Sequence, residues 1–471
     1  MTRLFLLHSA YGLATAAAGI DAGVFDAAHE NVLLTVNTAR IPETSTGIDV
    51  QPNLAGLRAR FARVESLDEL LSPRHPSSWK PHAADRAVLR RLLARAWRFD
   101  DDLELCVQSP QVAPARTLMT LFPDARITVI GDGLMTYSPI RVELGRTVVE
   151  RVGRVVYADV VPGVEPLVFA RDGFGTGSAG AGARAGAGAG AQAAGAQRVP
   201  LAPAVFRAAL AETVGADPAL DALVDGSRTA LVLGQYLAAL GLVDPSEETA
   251  MQGDMIDRAV SFGTERIVFK PHPSAPPAVT AALRRRALRQ GVSFVEHRGP
   301  TPAELVAERL EAVVVVAGFS TALPTVSALY ARPIASAGLD AVLERLSPYE
   351  NSNRVPATIV DALTRVDSPY RDPERLQLLV DAVGYVMQPR IVAHLRSRAE
   401  QLLAEIPDAE RDRYFDRRRL TALSLPGGAP EGVLSRVVRS RGGVGRMEEV
   451  RLTVAGARRR AGRVWKAARG R

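Results

Sequence analysis

The chain has 471 residues, 58 basic and 51 acidic, for a formal net charge of +7. Apolar residues at 47% and charged residues at 23% describe an ordinary globular protein, excluding a wholly disordered or collagen-like chain. The single cysteine, Cys106, excludes an intrachain disulfide and a cysteine-based zinc cage, so a cytoplasmic protein is expected. The basic excess is local: residues 431–471 hold twelve Arg or Lys and three Glu, a net of +9, leaving 1–430 at −2. Lys80, Lys270 and Lys466 are the only lysines, which makes Lys270 unusual in its own chain.

No stretch supplies the ~20 apolar residues of a spanning helix. Arg3–Leu7 predicts a short buried strand. The apolar run stops at His8 and Ser9, earlier than the ~7–15 residues expected of a signal-peptide core. Helix is expected over Leu13–Phe25, strand over Asn31–Val36, and helix again over Leu54–Val64 and Asp85–Phe99. Leu103–Gln108 and Ile127–Ile130 read as strands, with helical Thr117–Phe122 between them. Residues 177–197 are nearly all Gly and Ala, with nothing apolar to bury, and predict a flexible surface loop. Helix Ala202–Val214 follows. A second series then begins: strands Ala230–Leu233, Arg266–Phe269, Val292–Val295 and Ala312–Val316, with helices Glu247–Phe262, Pro277–Gln290, Pro302–Arg309 and Ala322–Ala331. Pro373–Ile406 is mainly helical and is expected to cross back over the first half. Such alternation predicts an α/β protein with two Rossmann-like domains facing a central cleft, the GT-B-like arrangement, with ligands at strand C-termini. The expected boundaries are 1–226, 227–406 and a C-terminal extension 407–471, basic from 431.

Four motifs follow strands or open helices. Asp132 in Ile130-Gly131-Asp132-Gly133 is a carboxylate at a strand end, suited to general-base work, although Asp-Gly is also common turn chemistry. In Phe269-Lys270-Pro271-His272-Pro273 two prolines fix the backbone around His272. The Lys270 and His272 charges could counter a phosphate, or His272 could be a buried structural histidine. In Thr301-Pro302-Ala303-Glu304 a capping box accounts for Glu304 fully, and ribose hydroxyls are the rival partner. Gly318, Ser320 and Thr321 stand between a strand and a helix. Gly318 is read as opening room for an anion at the helix N-terminus, against simple capping by Ser320. No metal-binding motif is present, so a metal-free mechanism is expected. His8 closes the first strand, facing the expected cleft.

This ordered set, Gly131-Asp132-Gly133, His272-Pro273 and Ser320-Thr321, resembles the bacterial capsular polysialyltransferases. Those GT-B sialyltransferase-like enzymes carry a D/E-D/E-G motif, an HP motif and an S-S/T motif. The likeness runs through roughly 3–349 and departs at Gly131, where the first acid should stand. It implies transfer of sialic acid, or a related nonulosonic acid, from a CMP-activated donor to a glycan acceptor, with inversion and without a metal. It assigns the base to Asp132. The CMP phosphate falls to His272, Pro273, Lys270, Gly318, Ser320 and Thr321, and the ribose to Glu304. His8, Ser9 and Gly133 are expected on the acceptor side, in the 1–226 domain, with the donor on 227–406.

Two alternatives stay open. One is a CDP-glycerol- or UDP-sugar-dependent transferase of a cell-surface polymer; teichoic-acid-type glycerophosphotransferases also use a Lys-Pro-His-Pro type turn. The other is a non-catalytic two-lobed binding protein. Basic residues of 431–471 interleave with Val, Leu and Trp465, which suits an anionic membrane surface, so a peripheral place on the inner face of the membrane is expected. No nucleic-acid reader motif accompanies them, and no nucleic-acid partner is expected.

Overall fold

The apolar runs become the strands of two parallel sheets in the computed structural model, which describes residues 2–26, 29–39, 46–99, 102–170, 196–235, 237–238, 241, 243–272 and 277–429. The first sheet comprises β1 (Thr2–Leu7), β2 (Glu30–Thr35), β3 (Arg63–Ser66), β4 (Leu103–Val107), β5 (Arg126–Ile130), β6 (Val152–Ala158) and β7 (Gln197–Leu201). Their order is β3-β2-β1-β4-β5-β6-β7, every pair parallel. The second comprises β8 (Thr229–Leu233), β9 (Arg266–Lys270), β10 (Ser293–Glu296), β11 (Val314–Ala317) and β12 (Ile334–Ser336), in the order β10-β9-β8-β11-β12. Strands β1, β4, β8 and β11 are buried along their whole length, as parallel strands covered by helices on both faces must be. The second core joins Val232, Ile267, Phe269 and Val316 to Met255 and Ile256 of helix Pro245–Val260.

A buried ion pair lies inside the first sheet. Arg3 is 1% exposed and donates from Nε to Glu104 at 2.8 Å and from Nη1 to Asn31 at 3.0 Å. Glu104 also accepts from Thr128 at 2.6 Å and from Arg154 at 2.9 Å. Burial pushes the Glu104 carboxyl up, and these donors more than reverse it, leaving it below the usual range.

Four strands lie outside the expected set. In the Leu54–Val64 region only Leu54 (closing the short 3-10 turn Pro52–Leu54) and Ala55–Arg58 are helical, and β3 begins at Arg63. That strand forms a sheet edge, so its sequence, Arg-Val-Glu-Ser, lacks the apolar run that marks an interior strand. Strand β7 forms the other edge, where Pro200 is tolerated because an edge strand pairs on one side only. It starts at Gln197, so the expected Gly/Ala loop ends one residue early; 171–195 lie outside the described residues. The apolar run of β6 is broken by Gly153 and Arg154, and β12 has three residues.

The chain divides into two compact units, 1–377 and 378–471. The first holds both sheets. Within it the chain returns to the first sheet after β12: Ser138 Oγ donates to Ser352 O at 2.8 Å, and Gln377 Oε1 accepts from Glu165 N. The second unit, described to 429, is helical, with Arg396–Glu405, Asp408–Tyr414 and Arg417–Leu423 following the end of helix Pro373–Met387. Inside it Arg398 pairs with Asp381, and Arg396 donates to the Tyr385 hydroxyl at 3.0 Å. The basic stretch 431–471, expected at a membrane surface, lies outside the described residues. Among the described residues no helix is long and apolar enough to cross a membrane.

Candidate active site

In a parallel sheet all strand C-termini share one edge, and the strand order decides which of them are neighbours. On the first sheet β1, β4 and β5 lie side by side and end in His8-Ser9, Gln108-Ser109 and Asp132. Gln108, 1% exposed, ties the three ends together. Its Nε2 donates to Ser9 Oγ at 2.7 Å and to Asp132 Oδ1 at 3.0 Å, while its Oε1 accepts from His8 N at 3.1 Å. Ser9 also caps helix Ala10–Asp21, accepting from Gly12 N at 3.0 Å. A Cβ at position 12 would strike the amide end of Gln108 and displace it from these partners. His8 Nε2 sits 3.0 Å from Ser109 Oγ; burial lowers the imidazole's affinity for a proton and Asp132 opposes this.

Asp132 is half-buried, and its N–H donates to Thr136 Oγ1 at 2.7 Å. The neighbouring Gly131 is forced: a Cβ there would lie 2.6 Å from Tyr157 Cβ and 3.1 Å from Tyr157 Cα. Gly133 takes φ +53, and the Tyr11 ring lies 3.6 Å from where its Cβ would be. Sequence reasoning missed Gln108, and it missed Asp159 at the end of β6. Asp159 is half-buried, and burial pushes its carboxyl up.

On the second sheet β10, β9, β8 and β11 are adjacent, so the turns after them meet along one edge. His272 follows β9 and is exposed; Pro273 lies outside the described residues. Gly234, after β8, lets the proline turn come close, since a Cβ there would lie 3.0 Å from Pro271 Cα. Gly318, after β11, does not leave an open space. The Gln235 side chain lies against it, with Oε1 2.5 Å from where a Cβ would be, so an anion at this turn would meet the Gln235 amide. Gln235 is therefore a further side chain among the motif turns. Its only sequence signal was a Gly-Gln pair closing an apolar run. Thr321, not Ser320, is the N-cap of helix Ala322–Tyr330. Thr321 is exposed and makes no side-chain capping bond, and Ser320 Oγ accepts from Ala322 N at 3.2 Å.

The expected capping box at Thr301 does not form. Helix Ala303–Arg309 has Pro302 at its N-cap with no side-chain cap, and Thr301 Oγ1 points to buried Asp217, donating at 2.7 Å. Asp217 also caps helix Pro218–Asp221 and lies 3.2 Å from His297 Nε2. Glu304 is thus outside any Thr301 capping box, and its carboxylate accepts from its own backbone N–H. Burial pushes its carboxyl up, with Lys270 opposing. Lys270 is itself half-buried and donates from Nζ to Gly299 O at 2.7 Å. Burial lowers its affinity for a proton, while Asp217 and Glu304 raise it.

Tyr11 lies on helix Ala10–Asp21. Its ring packs on Phe206 with centroids 4.9 Å apart. Burial pushes its phenol well above the ordinary value, Glu304 and then Asp132 add to this, and Thr325 opposes. Tyr11 therefore stands within electrostatic reach of both the acid on the first sheet and the acid on the second. Among the described residues no group of three or more His, Cys, Asp or Glu is arranged to hold a metal ion.

Several solved structures are similar in fold. The GT-B domain of a sialyltransferase from Photobacterium damselae is 10% identical, with a TM-score of 0.40, over 77% of this chain and 96% of that one. A glycosyltransferase from Rickettsia africae is 9% identical, with a TM-score of 0.37, over 88% and 98%. The E. coli heptosyltransferase WaaC is 13% identical, with a TM-score of 0.29, over 71% and 88%. No curated protein matches in sequence. Residues 3–337 match the family described as Alpha-2,8-polysialyltransferase (POLYST), a stretch that includes both sheets and every motif described above. The chain belongs to the alpha-2,8-polysialyltransferase family, and is a glycosyltransferase.

Proposed function

We propose that the protein transfers sialic acid, or a related nonulosonic acid, from a CMP-linked donor to a glycan hydroxyl, with inversion and without a metal. The observation that carries this reading is the fixed orientation of Asp132 by Gln108 at the strand-end edge of the first sheet. Asp132, oriented by Gln108, stands at the edge of one sheet, and Glu304, released from capping, stands on the other. Asp132 Oδ1 is engaged by Gln108, which leaves Oδ2 to take the proton of the acceptor hydroxyl. The acceptor oxygen forms the new bond to the anomeric carbon as the bond from that carbon to the phosphate oxygen breaks. CMP leaves with the electron pair. His272, the charge of Lys270 and the Ser320-Thr321 turn counter the phosphate charge, and Glu304 accepts from the ribose hydroxyls.

The test is a donor panel of CMP-sialic acid, CDP-glycerol and UDP-sugars, read as nucleotide release. CMP release from a nonulosonic acid donor is expected. Asp132→Asn should cost about 10²–10⁴-fold in rate with CMP binding preserved, while Asp159→Asn should retain turnover. Release from none of the CMP-nonulosonic acid donors, or full turnover in Asp132→Asn, would sink the reading.

A further inference from the structure

Helix Arg86–Ala96 lies between β3 and β4, in the half that holds Asp132, and has four arginines and no acid. Leu93 is its buried residue, and Arg90 pairs with Asp124 at 2.9 Å. These two mark the face that meets the protein. At 3.6 residues per turn, Val88, Arg91, Leu92 and Arg95 fall on the opposite face. All four are exposed, Val88 by 59% and Leu92 by 58%. Neither Arg91 nor Arg95 forms an ion pair among the described residues. Arg74, Lys80, Arg86 and Arg98 are exposed nearby in sequence, and Asp85 is the only acid from 74 to 98, so this stretch carries +6. The acids at 100–102 come after the helix.

We propose that this face docks on an anionic lipid surface. The helix is about 16 Å long, and its apolar pair lies between arginines. That arrangement lets Val88 and Leu92 enter the interface while Arg91 and Arg95 stay at phosphate depth. Charge selects this occupant. The chain's own 431–471 segment carries +9 and is repelled by the helix. A second copy meeting it two-fold would set the same arginines against each other. A nucleic acid would pair with the arginines but leave Val88 and Leu92 facing water. The inference goes beyond the transfer reaction and does not depend on the donor.

The test is sedimentation of the full chain with phosphatidylcholine vesicles, with and without phosphatidylserine. Wild type is expected to partition onto the phosphatidylserine vesicles, less so as salt rises. Arg91→Glu/Arg95→Glu should lower that partition at least about tenfold. Val88→Ser/Leu92→Ser should lower it even at high salt, with thermal unfolding unchanged in both. Partition equal to wild type in both variants would overturn the proposal, because all binding would then come from elsewhere, such as 431–471. So would binding to duplex DNA without binding to vesicles, or a dimer that both variants abolish.

Discussion

Gln108 is the side chain on which the first sheet's site turns, and its replacement by Glu separates orientation from mere packing. Gln108→Glu keeps the shape and the oxygen that accepts from His8 N, but sets a carboxylate 3.0 Å from Asp132 Oδ1. Two carboxylates this close share a proton. At ~4 Å and an effective dielectric of ~20 their repulsion is about 4 kcal/mol. Asp132 is half-buried, so solvent screening leaves roughly half of that. At about 1.4 kcal/mol per pH unit the acid limb of the rate profile should move up by about 1–2 units. The assay is donor turnover across pH with KM for the donor followed separately. KM should hold, because Gln108 binds only His8 N, Ser9 and Asp132 on the first sheet, while kcat near neutrality falls. Gln108→Leu removes the donors outright. It should cost about 10²-fold in kcat through a misplaced base, and about 1–3 kcal/mol of stability through the unpaired His8 N–H. An unshifted pH profile in Gln108→Glu together with normal kcat in Gln108→Leu would show that Gln108 only fills space.

Glu304 should make CMP affinity pH-dependent. Its carboxyl is held above the usual range, so affinity falls as pH drops through that raised value, and calorimetry on Glu304→Gln should show a flat dependence. Arg3→Met strands part of a buried network and should lower stability by about 3–5 kcal/mol at neutral pH, read by denaturant unfolding. Glu104 is held below its ordinary value, so its contribution is complete above about pH 4.5 and is lost as pH falls through the depressed value. The variant's deficit should therefore shrink in acid. Gly131→Ala should destabilise by about 1–3 kcal/mol, because the added carbon meets Tyr157 and not a yielding side-chain tip. Unchanged melting would show that β6 gives way. Turnover in excess EDTA should equal turnover without it, and recovery by an added divalent cation would refute the metal-free step.

Strands and helices with an unbroken apolar run were legible in the sequence, β1, β4, β8 and β11 above all, because both faces of an interior parallel strand are buried. Edge strands β3 and β7 lacked that signal, and β7 carries a proline. The motif residues were legible as strand-end side chains, yet their partners were not. Gln108 holds Asp132 only because β4 sits between β1 and β5, an order that no local pattern encodes. The Thr301 capping box was locally correct and failed for the same reason. Its hydroxyl donates to the buried carboxylate of Asp217, 84 residues away, a partner that no local pattern encodes.

The departure at Gly131 follows from the same geometry. A glycine where the family resemblance expects an acid reads, in sequence, as a missing catalytic group. In the fold, Gly131 N donates to Val156 O at 2.8 Å, which holds the backbone against β6 and brings Tyr157 over the position. A side chain there would need β6 to move, so residue 131 could not carry a carboxylate with the strands as they are. Asp132 has the opposite surroundings. It is half-exposed, its backbone is fixed by Thr136, and its side chain is aimed by Gln108. One position excludes a side chain and the next has two partners that orient it, so of the two only Asp132 can present a carboxylate from the end of β5.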